Sequence, residues 1–216
     1  MTIRAAFIAV AIIFAAPAAL NAQAVSDSGT FVVRHGRDTV AIEQFSRTGV
    51  KLEGTLTLRN AKRTSERWSA VVAPDATVPL IEVTVREGSD SGSRGARVVQ
   101  RARVIFKEDS AAVDAMGGQG IQTRLFATEL GAVPYLNLSF ALLEQAVRRA
   151  RVSPDTSQVA FFNLGGGQTV TAKLSRLGSD SLRLTIGNVE YLLRVDQAGR
   201  VLGGRIPAQD VVAERR

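Results

Sequence analysis

The chain contains no cysteine and only one histidine among its 216 residues. Without cysteine it can form neither a disulfide nor a lipid-modified N-terminal cysteine. Zinc, copper and iron would lack their usual nitrogen and sulfur ligands. The acidic residues do not follow the spacing of a calcium loop. The sequence therefore predicts no metal site and no cofactor.

Candidates for catalysis are equally few. The single histidine, His35, falls in a predicted hairpin turn, and no G-x-S-x-G elbow presents a serine nucleophile. Glu43 and Glu53 fall on neighbouring predicted strands, where a facing pair of carboxylates could do glycosidase-type acid and base work. Glu53, however, belongs to the polar row of an alternating strand, for which solvent is the expected surrounding. We predict no catalytic residues and a protein that is not an enzyme.

Acidic residues are outnumbered by basic ones, 20 to 27, so the formal net charge is +7. A basic balance can indicate a nucleic-acid or anionic-lipid partner. The chain has no dense basic run and no alternation of basic and aromatic residues. The charge therefore predicts a solvated, arginine-rich surface and no nucleic-acid partner.

The first residues have the three-part layout of a secretory signal peptide. Arg4 precedes an uncharged apolar run from Ala5 to Ala16, Pro17 breaks the run, and small residues lead to Ala22-Gln23-Ala24. We place the signal peptide at 1–24, with cleavage after Ala22 as the alternative. A retained membrane anchor is the competing interpretation, but the run is shorter than the roughly 20 residues that span a bilayer. The prediction is a periplasmic or secreted protein without a transmembrane segment after signal cleavage.

Alternation of apolar and polar residues dominates the remaining chain, 25–216, and is best seen between Val50 and Arg59. Gly54 lies in the apolar row of that strand, which indicates a bulge or a close approach by a neighbouring group. Short strands separated by tight turns predict a single mainly β domain: an antiparallel meander curled into a barrel or half-barrel. The predicted strands lie near 30–35, 38–46, 49–59, 66–73, 78–87, 96–107, 121–129, 158–164, 168–177, 180–186, 188–196, 200–206 and 209–213.

One segment, 138–151, has the spacing of an amphipathic helix. Apolar residues such as Leu142 and Val147 recur every three or four positions, and Asn137 or Ser139 can cap the start. Glu144, Gln145 and several arginines fill the other face. We expect the apolar stripe to pack on the apolar face of the sheet.

Two glycine-rich segments, 88–95 and 116–120, are predicted to be mobile loops. A third, from Asn163 to Thr169, is followed by a predicted strand and has no adjacent lysine. It therefore predicts a wide hairpin turn and not a phosphate-binding loop.

A signal peptide, a long meander and one helix laid into it together resemble the exported lipoprotein-carrier half-barrel proteins. The same pattern also resembles uncharacterised secreted bacterial β-meander proteins. The first resemblance implies an acyl chain held between the helix and the sheet, although this chain offers fewer helices to line a cavity.

We therefore expect an exported, non-enzymatic domain that binds an apolar or amphipathic ligand, such as a lipid, between its curved sheet and its helix. The alternative is an envelope structural module that binds a protein partner and no small molecule. Trp68 and Tyr191 are placed at the rim of the expected pocket, although each candidate residue taken alone fits a dry core better than a pocket. The candidate ligand-binding residues are Leu52, Leu56, Trp68, Leu142, Val147, Phe161, Phe162 and Tyr191.

Overall fold

The computed structural model describes residues 26–88, 96–117, 120–152 and 157–216. The predicted signal peptide and the interior of the predicted loop at 88–95 lie outside these residues. Within them, no helix is long and apolar enough to cross a membrane.

Fifteen strands and one α-helix make up the described chain. The helix is α1 (Phe140–Val152), and a short 3-10 helix occupies Pro207–Gln209. The strands are β1 (Ser26–His35), β2 (Asp38–Thr48), β3 (Lys51–Leu58), β4 (Thr64–Val71), β5 (Leu80–Glu87), β6 (Arg97–Lys107), β7 (Ser110–Gly117), β8 (Gly120–Ala127), β9 (Val133–Tyr135), β10 (Gln158–Asn163), β11 (Thr169–Arg176), β12 (Ser181–Ile186), β13 (Val189–Val195), β14 (Val201–Ile206) and β15 (Val211–Arg215).

All fifteen strands form one sheet that does not close. Its order is β8-β7-β6-β5-β4-β3-β2-β1-β15-β14-β13-β12-β11-β10-β9, so the first and last strands meet at its centre. Every pairing among the described strands is antiparallel except that of β9 with β10, which α1 connects. The predicted antiparallel meander around one helix is confirmed in half-barrel form, with a single parallel crossover.

The helix lies across one face of the sheet, which we call the helix face; the opposite face is the outer face. Eight consecutive residues of α1, from Phe140 to Val147, are buried on every side. The part of the polar face that carries Glu144 and Gln145 is therefore buried together with the apolar stripe. An amphipathic pattern is expected for a helix that packs against one surface. Here three elements contact the helix from different sides: β2, the turn between β4 and β5, and β14.

Most predicted strands correspond to observed ones within a few residues, but β7 and β9 were missed. β7 is rich in alanine, which has low strand propensity, and β9 has only three residues with a proline in the middle. Of the segment predicted as a loop at 116–120, Met116 and Gly117 belong to β7 and Gly120 belongs to β8, where Gly117 pairs with Gly120; positions 118 and 119 lie outside the described residues. The helix begins at Phe140 and not at Leu138, whose backbone is left-handed (φ 64°).

Candidate functional site

All eight residues predicted to bind the ligand lie in one hydrophobic core on the helix face. Trp68 and Tyr191, which we expected at a rim, are only 1% and 3% exposed. The other six are also fully buried: Leu52, Leu56, Leu142, Val147, Phe161 and Phe162. All eight are thus core residues, and the structure does not present them on an open surface.

The space between the sheet and the first part of the helix is tightly packed, and a pocket of about 320 Å³ remains beside the C-terminal half of α1, where Val147, Ala150 and Leu182 are among its lining residues. The ring of Phe31 on β1 lies 5.6 Å from that of Phe140 on α1, between centroids. A Cβ atom added at Gly54 would lie 2.5 Å from Cζ2 of Trp68, and one at Gly204 would lie 3.2 Å from Cε1 of Phe140. Distances this short leave no room for a further side chain at either glycine. A ligand at these positions would have to displace side chains of the core.

The start of α1 is fixed by a buried carboxylate from β2. Glu43 Oε2 accepts a hydrogen bond from the Ala141 amide at 2.9 Å, and Ser139 Oγ donates to Glu43 Oε1. Ser139 Oγ in turn accepts from the Leu142 amide, which confirms the predicted cap at Ser139. Burial raises the pKa of Glu43 to about 7, against the opposing effect of these hydrogen bonds. Because Glu43 and Ser139 are sealed from solvent, they anchor the helix and are closed to a substrate.

The second turn of α1 carries a buried ionic network around Glu144. Its Oε1 accepts two hydrogen bonds from Arg148, at 2.9 and 2.8 Å. Its Oε2 accepts one from the Val201 amide at 2.9 Å and one from Arg215 at 3.1 Å. Arg215 also pairs with Asp27 at 2.6 Å. The helix, the first strand and the last strand are therefore joined by charge-assisted hydrogen bonds.

Glu43 and Glu53 do not form the acid pair considered from the sequence. Glu43 is opposite Leu56 on β3 and faces the helix, whereas Glu53 is opposite Ser46 and faces outward. The Lys51 ammonium lies 2.6 Å from Glu53 and holds the pKa of that carboxyl below its usual range. Within the described residues, no three His, Asp or Glu side chains come together in a way that could hold a metal ion.

A groove with a volume of about 1160 Å³ lies on the outer face of β2 to β5. Gln44, next to the helix-facing Glu43, points into it. Because strand side chains alternate between the two faces, the outer-face side chains of β3, β4 and β5 line the same groove. Its floor carries the hydroxyl groups of Ser46, Thr55, Thr57 and Ser65. We call this concavity the arginine groove, because its other principal lining residues are Arg59, Arg63, Arg67 and Arg86.

Strand register places neutral side chains directly opposite two of these arginines, although the charge of Arg67 also helps the Lys51 ammonium to lower the pKa of Glu53. Arg67 is opposite Thr55 on one side and Thr84 on the other, and Arg86 is opposite Ser65. Neither Arg67 nor Arg86 lies within 4.0 Å of a carboxylate oxygen of the described residues. Both are exposed, so their guanidinium groups are available to an anion.

The excess of arginine in the sequence is a signal for this groove, but it predicts only a solvated, arginine-rich surface. Arg59, Arg67 and Arg86 are widely spaced along the chain, so the sequence alone does not bring them together. The sheet brings them together because β3, β4 and β5 are adjacent antiparallel strands. Alternation within each strand correctly predicts that Thr55, Thr57 and Arg59 share a face, but it does not give the register between strands.

These features define an open, fifteen-stranded half-barrel with one buried helix and a basic groove on the opposite face. No family model matches the chain, and its sequence matches no curated protein. Among solved structures, the chain is similar to a DUF1089 family protein from Pseudomonas aeruginosa, with a TM-score of 0.54 and 12% sequence identity. The match covers 81% of this chain and 92% of that chain. At this level of identity, the likeness shows a shared fold alone.

Proposed function

We propose that this protein is an exported, non-enzymatic binding protein for an anionic amphipathic ligand, which it holds in the arginine groove. The observation that carries the proposal is the pair Arg67 and Arg86, which lie on adjacent strands of one concave surface without a carboxylate partner among the described residues. Unpaired guanidinium groups on such a surface favour a ligand that carries phosphate, sulfate or carboxylate.

Charge in the groove favours an anion. Glu53 is the acidic residue in the lining, and the Lys51 ammonium at 2.6 Å offsets its charge. Hydroxyl groups on the floor can donate to further ligand oxygens. The guanidinium groups of Arg67 and Arg86 can therefore bind an anionic head group without competition from a nearby unpaired carboxylate.

Amphipathic character is supported by the rest of the lining. Ile42 borders the groove, and Thr55 and Thr57 add methyl groups beside their hydroxyls. The volume exceeds the ~300–1000 Å³ that is usual for small-molecule sites, so an alkyl chain can lie along the groove beyond the head group. This location differs from the space between helix and sheet that we expected from the sequence, because side chains of the core fill that space except for a pocket of about 320 Å³ beside the C-terminal half of α1.

Native mass spectrometry of protein purified from a periplasmic extract tests the proposal. We expect wild-type protein to carry a bound anionic amphiphile, and the Arg67→Gln/Arg86→Gln variant to have lost it. The matched control is Arg183→Gln/Arg205→Gln, which removes the same charge from β12 and β14 outside the groove and should retain the ligand. Equal loss from both variants would show that net charge, and not the groove, holds the ligand.

A second candidate function is the envelope interaction module without a small-molecule ligand. The exposed edge strand β8 favours it, because an unpaired strand edge is a surface that another chain can extend. This candidate predicts ligand-free protein in the same experiment.

A further inference from the structure

The edge strand β8 is an open pairing surface. Within the described residues it pairs with β7 alone and ends the sheet. Each residue from Gly120 to Leu125 is exposed. Natural sheets usually protect such an edge with proline, a bulge or inward-pointing charge. From Gly120 to Ala127 there is no proline and a single charge, that of Arg124.

The direction of the free backbone groups follows from one hydrogen bond. The Thr128 amide donates to the carbonyl of Asp109 at 2.8 Å, directly across the β7–β8 hairpin. Hydrogen-bonded and non-hydrogen-bonded pairs alternate along an antiparallel ladder. The backbone groups of Ile121, Thr123 and Leu125 therefore point away from β7. Ala127 fits this alternation, since its carbonyl accepts a hydrogen bond from Thr169 Oγ1 and not from β7.

The same three residues place their side chains on the outer face, opposite Met116, Asp114 and Ala112 of β7. Thr123 Oγ1 donates a hydrogen bond to Asp114 Oδ1 at 2.8 Å. Ile121 is 64% exposed and Leu125 is 72% exposed. Two large apolar side chains thus flank Thr123 at an unpaired edge. Gln122 and Arg124 lie on the opposite face of the strand.

This pattern is complementary to itself. When two copies of β8 run antiparallel about a twofold axis at Thr123, Ile121 is opposite Leu125 of the second copy, and Gln122 is opposite Arg124. Moving the axis to Arg124 would place two arginines opposite each other, which is destabilising. Moving it to Gln122 would place Ile121 opposite Thr123 and separate the apolar pairs.

We propose that β8 is a homodimer interface, in which two copies of this chain pair antiparallel through residues 121–125 with the twofold axis at Thr123. The pairing joins two sheets into one and makes the same contacts on both copies, as an isologous interface requires. This inference concerns a different surface from the arginine groove, so either can fail without the other.

Cysteine cross-linking tests the register, because the chain has no cysteine of its own. At the axis, the two Cα atoms of residue 123 would lie about 5.5 Å apart, within the range of a disulfide. Thr123→Cys is therefore expected to form a covalent dimer on mild oxidation. The control Ile121→Cys is expected to remain uncross-linked, since its two copies would lie roughly 13 Å apart along the strands at about 3.4 Å per residue. Equal cross-linking of both variants would overturn the register.

Charge substitutions at the exposed positions 121 and 125 test the interface itself. Sedimentation equilibrium should show a dimer for wild-type protein and a monomer for Ile121→Lys/Leu125→Lys, in which like charges face each other. The variant Ile121→Glu/Leu125→Lys should restore the dimer, because opposite charges then face each other in this register only. A wild-type protein that stays monomeric at tens of micromolar, or one that binds only unrelated peptides at β8, would contradict the proposal.

Discussion

The indole ring of Trp68 fills the space in which Gly54 would otherwise carry a side chain. The two residues are directly opposite on β4 and β3, and an added Cβ would meet Cζ2 of the indole at 2.5 Å. Trp68 is 1% exposed, so the ring has no room to move aside. The glycine in the apolar row therefore reflects a packing contact and not an open cavity.

Gly54→Ala should consequently destabilise the protein by roughly 1–3 kcal/mol through overpacking, although alanine is the better strand former. The measurement is the free energy of unfolding in urea. Gly178→Ala is the matched control: its nearest non-neighbouring atom would lie 3.8 Å away, so a change within about 0.5 kcal/mol is expected. Stability unchanged by Gly54→Ala would mean that the indole can shift.

Glu43 should make stability depend on pH between about 4.5 and 7. Burial raises its pKa from 4.5 to about 7 in the folded state, so across this window the folded protein holds a proton that the unfolded chain has released. Stability then falls as pH rises, by roughly 3 kcal/mol over the window. The difference in unfolding free energy between wild type and Glu43→Gln, followed from pH 4 to 8, isolates this contribution.

That experiment needs a control for Glu66, because burial raises the pKa of Glu66 as well. Glu66 therefore also makes the unfolding free energy fall as pH rises. Glu66→Gln should retain most of the dependence and Glu43→Gln should lose most of it. A slope that survives in Glu43→Gln would contradict the assignment.

Glu144 should be among the most sensitive positions on the helix. Replacing it with glutamine leaves Arg148 and Arg215 without their shared buried carboxylate. This change is expected to lower the free energy of unfolding by about 3–5 kcal/mol. Glu214→Gln, which removes an exposed ion pair with Arg34, should cost no more than about 1 kcal/mol. The measurement is thermal unfolding of both variants and the wild type. Similar losses of stability in Glu144→Gln and Glu214→Gln would contradict a stabilising role for the buried network.

If the protein is exported, signal-peptide cleavage should give the mature protein a defined N-terminus. N-terminal sequencing of material recovered from the periplasm or the medium should begin at Val25, or at Gln23 if cleavage follows Ala22. Recovery of protein that still begins at Met1 would contradict both the cleavage and the proposed location.

The sequence predicted the half-barrel architecture because alternation and turn chemistry are local properties of each strand. It also predicted correctly that Leu142 and Val147 are buried against the sheet, since apolar periodicity indicates burial. It did not predict the burial of Glu144, because the arginine that neutralises it from the last strand is 71 residues away. The arginine groove was missed for the same reason: Thr55, Arg67 and Thr84 become neighbours only through strand register.

The central claim is that the arginine groove binds an anionic amphiphile, and calorimetric titration with decyl phosphate below its micelle concentration tests it directly. Wild-type protein should bind one molecule, more weakly at higher salt, and should bind the uncharged decyl glucoside far less well. Arg67→Gln/Arg86→Gln should weaken decyl phosphate binding by about tenfold or more, equivalent to about 1.4 kcal/mol or more. Arg183→Gln/Arg205→Gln should leave it unchanged. Decyl phosphate that binds the groove variant as tightly as the wild type, or that does not bind the wild type, would contradict the account.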